Sequence, residues 1–251
     1  MSSESPLLQT ESLTKRYGSF EAVSELSVSF YDDELCAIIG PNGAGKTTLF
    51  NLITGETSAS AGQIVFNDTD ITDEKPHKIA QEGLIRSFQI TNVFTELSVF
   101  ENLQVALLSN RNPFNMWGNV DNMDGINDRC TEILERVDLA EQRDKMASNL
   151  GHGDQRMLEI AVALGKDPDM LLLDEPSSGM SSAETAEMVD IISDLAEDIP
   201  IVLVEHKMSL VKSVADRLIV LHNGQLLAEG DPSTVRNNED VQRVYLNSSA
   251  E

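Results

Sequence analysis

Gly40-Pro41-Asn42-Gly43-Ala44-Gly45-Lys46-Thr47-Thr48 is the stretch on which the reading of this chain turns. It fits the pattern G-x-x-x-x-G-K-[ST], with Gly40, Gly45, Lys46 and Thr47 in the fixed places. An apolar run, Leu35 to Ile39, leads into it, and a helix-compatible run, Thr47 to Ile53, leaves it. That is the strand–loop–helix context in which the pattern binds phosphate. The glycines let backbone N–H groups turn inward around phosphate oxygens, and the N-terminus of the following helix adds positive potential. In such a loop Lys46 reaches the β- and γ-phosphates of a nucleotide and Thr47 holds Mg²⁺.

Downstream, the sequence supplies what a nucleotide-hydrolysing loop needs next. Met170 to Leu173 is a short apolar strand that ends in Asp174–Glu175. The first acid can hold Mg²⁺, usually through water, and the second can activate an attacking water. Ile201 to Val204 is a second apolar strand, ending in Glu205–His206. This puts His206 at the carboxyl edge of the sheet, where such folds bind ligand. Between the two strands, Ser182 to Glu197 reads as a helix. Arg217 to Leu221 and Gln225 to Glu229 flank His222–Asn223–Gly224, a hairpin signal. Short, wholly apolar strands alternating with helices predict a mostly parallel sheet covered on both faces.

Upstream, Leu7 to Leu13 and Leu26 to Phe30 read as short strands, Gln63 to Phe66 as another with a turn at Asn67–Asp68, and 84–89 as a strand ending at Gln89. The middle of the chain differs. Ser98 to Leu108 reads as a helix and 109–125, rich in Asn, Asp, Gly and Pro, as a loop. Ile126, Cys130, Ile133, Leu134 and Val137 recur at helical spacing. Residues 91–150 therefore form a mainly helical insertion between two sheet-forming halves. Leu150 to Gly153 reads as a helix start, which is also an anion site.

The 251 residues can build one large α/β domain, and 41% hydrophobic content can fill its core. Cys36 and Cys130 show no metal spacing and read as core residues. No apolar run approaches the ~18 residues of a membrane span, and no hydrophobic segment follows a basic start. Both point to the cytoplasm. With 18 basic and 42 acidic residues the net charge is −24, which disfavours binding of bare nucleic acid. The acids are scattered, so the choice is between an ordinary acidic protein and one adapted to high salt. A total of eight lysines points to the second.

These elements, in this order and spacing, resemble the ATP-binding subunits of ABC transporters over nearly the whole chain. Leu150-Gly151-His152-Gly153-Asp154-Gln155-Arg156 looks like the family's signature, Gln89 like its Q-loop glutamine, His206 like its switch histidine and Tyr17 like the aromatic residue that stacks on adenine. The Gly-Asp-Gln-Arg run, Ser87 to Asn92, the long loop at 109–125 and the ending Val241 to Leu246 are similar to the branched-chain amino-acid importers; urea and short-amide importers share much of this. Two positions depart from the family pattern: Gly151 stands where a serine is usual, and Ser181 where an aspartate is usual.

The resemblance implies a RecA-like P-loop core at about 7–90 and 151–236, an antiparallel β subdomain, a helical subdomain at about 91–150 and a helical tail at 237–251. It implies ATP hydrolysis with Mg²⁺ at Thr47, Gln89 and Asp174, and chemistry by Glu175, His206 and Gln89. It also implies that residues 40–48, Tyr17, Gly151 and Gly153 contact nucleotide. The expected partners are a second ATPase, identical or related, membrane permease subunits at the cytoplasmic face and, indirectly, a solute-binding protein. ABC ATPases of DNA repair or ribosomes usually carry coiled-coil insertions or fused domains, which this chain lacks.

Overall fold

Successive residues of the central strands feed different cores, and this alternation organises the molecule. The computed structural model describes residues 5–87, 93–109 and 123–248. In chain order the strands are β1 (Leu8–Tyr17), β2 (Phe20–Phe30), β3 (Leu35–Ile39), β4 (Ala61–Phe66), β5 (Thr69–Asp70), β6 (Leu84–Ser87), β7 (Met170–Asp174), β8 (Ile201–Val204), β9 (Arg217–His222) and β10 (Gln225–Gly230). The helices are α1 (Lys46–Ile53), α2 (Pro76–Gln81), α3 (Val99–Ser109), α4 (Met123–Arg136), α5 (His152–Leu164), α6 (Ser182–Ala196), α7 (Met208–Val214), α8 (Pro232–Arg236) and α9 (Glu239–Ser248).

One sheet has the order β10-β9-β3-β8-β7-β6. Its strands run parallel from β9 to β6, and β10 closes the edge antiparallel as a hairpin with β9. A second, antiparallel sheet has the order β2-β1-β4-β5. The sheet class expected from the sequence is the one observed. Leu171, Leu173, Ile201 and Leu203 enter a core shared with α3, α4, α5 and α6. Their neighbours Met170, Leu172, Val202 and Val204 enter another, shared with α1 and the antiparallel sheet. Each fully buried leucine contributes about 1.5–3 kcal/mol of transfer free energy. Strands buried on both faces have no polar side, which is why they read as unbroken apolar runs.

Several boundaries differ from the sequence reading, each for a physical reason. β1 and β2 are ten and eleven residues long rather than two short strands. Their pairing slips register between Thr10 and Arg16, and Ser12 and Glu25 adopt positive φ of 47° and 48°. These bulges break the period-2 alternation in mid-strand, so the apolar pattern stops before the strand does. α2 was not expected: at six residues, opened by Pro76, it is too short to show periodicity. α4 begins at Met123, inside the span read as loop. β6 is described to Ser87, so the part of the 84–89 strand holding Gln89 lies outside the described residues. Cys36 and Cys130 are both buried, and neither is bonded to another cysteine.

Candidate active site

Register brings the functional loops to one edge. Ile38 pairs with Val204, and Val204 pairs with Asp174, so three adjacent strands reach the same level. Their next residues are the phosphate loop from Gly40, Glu205–His206 and Glu175. An open cleft of about 220 Å³ results, lined by Asn42 to Thr48 together with Glu175, His206, Phe20 and Ala22.

The loop is shaped by backbone contacts far away in sequence. Gly45 has φ 104°, a left-handed conformation, and a Cβ there would lie 2.6 Å from Ala22 O. A Cβ at Gly40 would lie 2.3 Å from Leu221 O. Gly224 N donates to Ala44 O (2.9 Å), and Ser24 N donates to Gly224 O (2.9 Å). The β9–β10 turn, visible in the sequence only as a hairpin signal, thus buttresses the loop. Lys46 is 5% exposed and donates to Gly40 O (2.7 Å) and Pro41 O (3.3 Å). Burial pushes its ammonium below the usual lysine range, and the Glu175 and Asp174 carboxylates oppose that shift. Thr47 is exposed at the first turn of α1.

Asp174 ends β7 with its carboxylate buried. Arg86 Nη2 binds Oδ2 at 2.5 Å, while Oδ1 is buried with no hydrogen-bond partner. Arg86 also donates to Asn51 Oδ1 (2.7 Å), lies 3.4 Å from Glu56 and sits over the Phe50 ring. The sequence reading missed Arg86; the available signal was a cation inside an otherwise apolar strand. A bare carboxylate oxygen at Asp174 fits Mg²⁺, which favours hard oxygens and is held by one or two carboxylates together with substrate phosphates. Among the described residues there is no cluster of three or more His, Cys, Asp or Glu that would cage a metal alone.

Glu175 adopts φ 49°, a left-handed conformation costing about 1–2 kcal/mol for a residue with a side chain. Its N–H donates to Val204 O (2.9 Å), and its carbonyl accepts from Ser178 N (3.0 Å). His206 Nε2 meets Glu175 Oε1. Glu205, buried at 2% exposure, was seen in the sequence only as the residue before His206. Its two oxygens accept from Ser177 N and His206 N, each at 3.0 Å.

Tyr17 pairs with Phe20 across the β1–β2 turn, so the two rings share a face. Phe20, 62% exposed, lines the cleft; Tyr17, 53% exposed, lies beside it with Lys15 Nζ 5.1 Å from its ring centre. Phe20 went unnoticed because an aromatic residue next to a turn carries no sequence signal of its own. Gly151 is the N-cap of α5 in extended conformation, and a Cβ there would meet nothing within 4 Å. Gly153 faces Glu184 Oε1, 2.9 Å from where a Cβ would stand. His152 Nε2 lies 3.1 Å from Ser178 O, so this turn packs on the segment that follows Glu175. Ser181 caps α6 in a reciprocal box with Glu184.

A phosphate loop with an acid pair and a histidine on the two neighbouring strands defines a P-loop ATPase. Comparison with known proteins narrows this. The ABC transporter family model matches residues 23–178, and a Branched-chain amino acid ATP-binding cassette transporter model matches 225–246. The chain is 39% identical to the high-affinity branched-chain amino acid transport ATP-binding protein LivG of Escherichia coli K12, covering 96% of this chain and 98% of that one. It is 35% identical to BraF of Pseudomonas aeruginosa, named in the same terms, with the same two coverages. Among solved structures it is similar to an ATP-binding cassette of an ABC transporter in its ADP conformation (TM-score 0.85, 31% identity, covering 96% of this chain and 99% of that one). A nucleotide-free cassette gives a TM-score of 0.84 at 30% identity, with the same coverages. The chain belongs to the ABC transporter family, in its branched-chain amino acid group, as an ATP-binding and ATP-hydrolysing cassette. Among the described residues no helix is long and apolar enough to cross a membrane.

Proposed function

We propose that this chain powers an importer of branched-chain amino acids as a peripheral subunit at the cytoplasmic face of permease subunits, paired with a second ATPase. The observation that carries the reading is the single cleft joining Asn42–Thr48, Glu175 and His206. The loop amides and Lys46 bind and neutralise the phosphates of ATP. Lys46 exchanges the Gly40 and Pro41 carbonyls for phosphate oxygens, and its burial strengthens that attraction. Thr47 and Asp174, with Gln89, would hold Mg²⁺, which would supply positive charge to offset that of the ATP phosphates. Arg86 occupies Oδ2 of Asp174 and leaves Oδ1 for that task. Glu175 accepts a proton from the attacking water, and His206 contacts the γ-phosphate. Tyr17 with Phe20 flanks the base. Gly151 and Gly153 face the nucleotide of the paired ATPase.

The test is Glu175→Gln, which keeps shape and removes the proton acceptor. ATP binding is expected to persist, turnover to stop, and ATP to hold the dimer more stably than in the wild type. Wild-type turnover in this variant overturns the assignment of Glu175.

A further inference from the structure

We infer that Glu205 is a positioning residue for hydrolysis, clasping the loop that carries Glu175 and the loop that carries His206 into one unit. The inference rests on the roles proposed above for those two residues. Three consecutive side chains grip one short segment. Glu205 Oε1 accepts from Ser177 N (3.0 Å), His206 meets Glu175, and Lys207 Nζ donates to Ser177 O (3.2 Å). Both backbone groups of Ser177, two residues beyond Glu175, are therefore held by side chains of the other loop. The second oxygen of Glu205 accepts from His206 N (3.0 Å), and its own N–H donates to Ile38 O (3.2 Å), which anchors the clasp to β3.

The chemistry explains why a carboxylate stands there. It has acceptors on both oxygens and no donor, and so satisfies two N–H groups from two loops at once. A glutamine of the same shape accepts on one oxygen and sets an NH₂ against the other N–H. The clasp also explains how Glu175 keeps a left-handed backbone. Such a conformation persists only where its surroundings enforce it, and the grip on Ser177 adds to the bonds that Glu175 itself makes to Val204 and Ser178.

The experiment compares Glu205→Gln and Lys207→Met in the full chain, reading kcat, KM and amide hydrogen exchange. For Glu205→Gln kcat is expected to fall about tenfold to a hundredfold, the loss that a misplaced catalytic group produces. KM for ATP is expected to stay within about twofold, because the phosphate loop is untouched. Amides of Ser177 and His206 are expected to exchange faster while those of the phosphate loop do not. Lys207→Met, at an exposed position, is expected to lower kcat by a smaller factor in the same pattern. Wild-type kcat in Glu205→Gln overturns the inference. So does a parallel loss of kcat, ATP affinity and phosphate-loop protection, which marks general unfolding. If Glu205→Gln does not fold, Lys207→Met decides, and an unchanged kcat there overturns the clasp. Glu175→Gln run alongside separates the two readings: normal turnover in it removes the role of Glu175, while exchange at Ser177 and His206 still judges the clasp.

Discussion

Two glycine-rich turns open helices in this molecule, Gly40–Gly45 before α1 and Gly151–Gly153 at α5, and they use glycine differently. In the first, the backbone of β2 and of the β9–β10 turn presses on the loop. A side chain at Gly40 or Gly45 would collide with main-chain oxygen at 2.3 or 2.6 Å. In the second, Gly151 faces open space in an ordinary extended conformation. Gly153 is buried against the Glu184 side chain, whose carboxylate is held in the Ser181 capping box. The first turn is a mould fixed by its own chain. The second leaves open space at Gly151 alone, beside a buried Gly153.

Placing the same methyl group in both turns separates the two uses of glycine. Gly40→Ala is expected to cost about 3 kcal/mol or more, since backbone must move, whereas Gly151→Ala is expected to stay within about 0.5 kcal/mol. Urea unfolding of the two variants measures both, and equal losses would erase the distinction.

Lys46→Ala tests what the first turn does beyond its backbone. Hydrolysis is expected to vanish and ATP binding to weaken while the fold persists, read by turnover and nucleotide titration. Unchanged turnover would reduce the loop to a structural turn.

Gly151→Ser tests the open space of the second turn. A Cβ there meets nothing within 4 Å, and in the proposed dimer the serine would offer a hydroxyl to the phosphate of the paired subunit. A hydrogen bond to a charged group contributes about 1.5–3 kcal/mol, so that site is expected to gain roughly tenfold or more in ATP affinity. Mixed dimers carrying the glutamate-to-glutamine change in one chain at a time reveal which site gains.

A smaller effect lies beside the second turn. Ser181→Ala removes the cap of α6 and is expected to cost about 1 kcal/mol, while Ser181→Asp is expected to be nearly neutral because aspartate caps equally well. Thermal melts of both separate capping from any role of aspartate across the dimer. The smallest effect is global. With a net charge of −24, the thermal midpoint is expected to rise between dilute buffer and molar KCl, as like-charge repulsion is screened. The gap between Gly40→Ala and Gly151→Ala is expected to survive that change, since it is steric. A flat or falling midpoint removes the high-salt reading.

What the sequence made legible follows from where information is local. Leu171–Leu173 and Ile201–Val204 declared themselves as buried strands because every residue of each is apolar, and the acids and histidine at their ends then had one edge to occupy. β1 was read short because its bulge hides the alternation. Arg86 and Glu205 stayed hidden for another reason. A single charge in a strand or just after one looks like a solvated residue until its partner, Asp174 for Arg86 and Ser177 for Glu205, arrives from 88 or 28 positions away. Phe20 likewise acquires meaning only through its pairing with Tyr17 and its place at the cleft.

The buttress behind the phosphate loop has a consequence for biosynthesis. The motif at 40–48 leaves the ribosome early, yet the groups that shape it, Leu221 O and Gly224 N, lie near the end of the chain. Synthesis therefore runs through most of its length with a nascent polypeptide that carries the nucleotide motif but lacks the mould that gives it form. A truncated product ending before Gly224 lacks that mould and is expected to bind ATP more weakly than the full chain, which nucleotide titration would measure. The shape of the loop is complete only with the last hairpin in place against it.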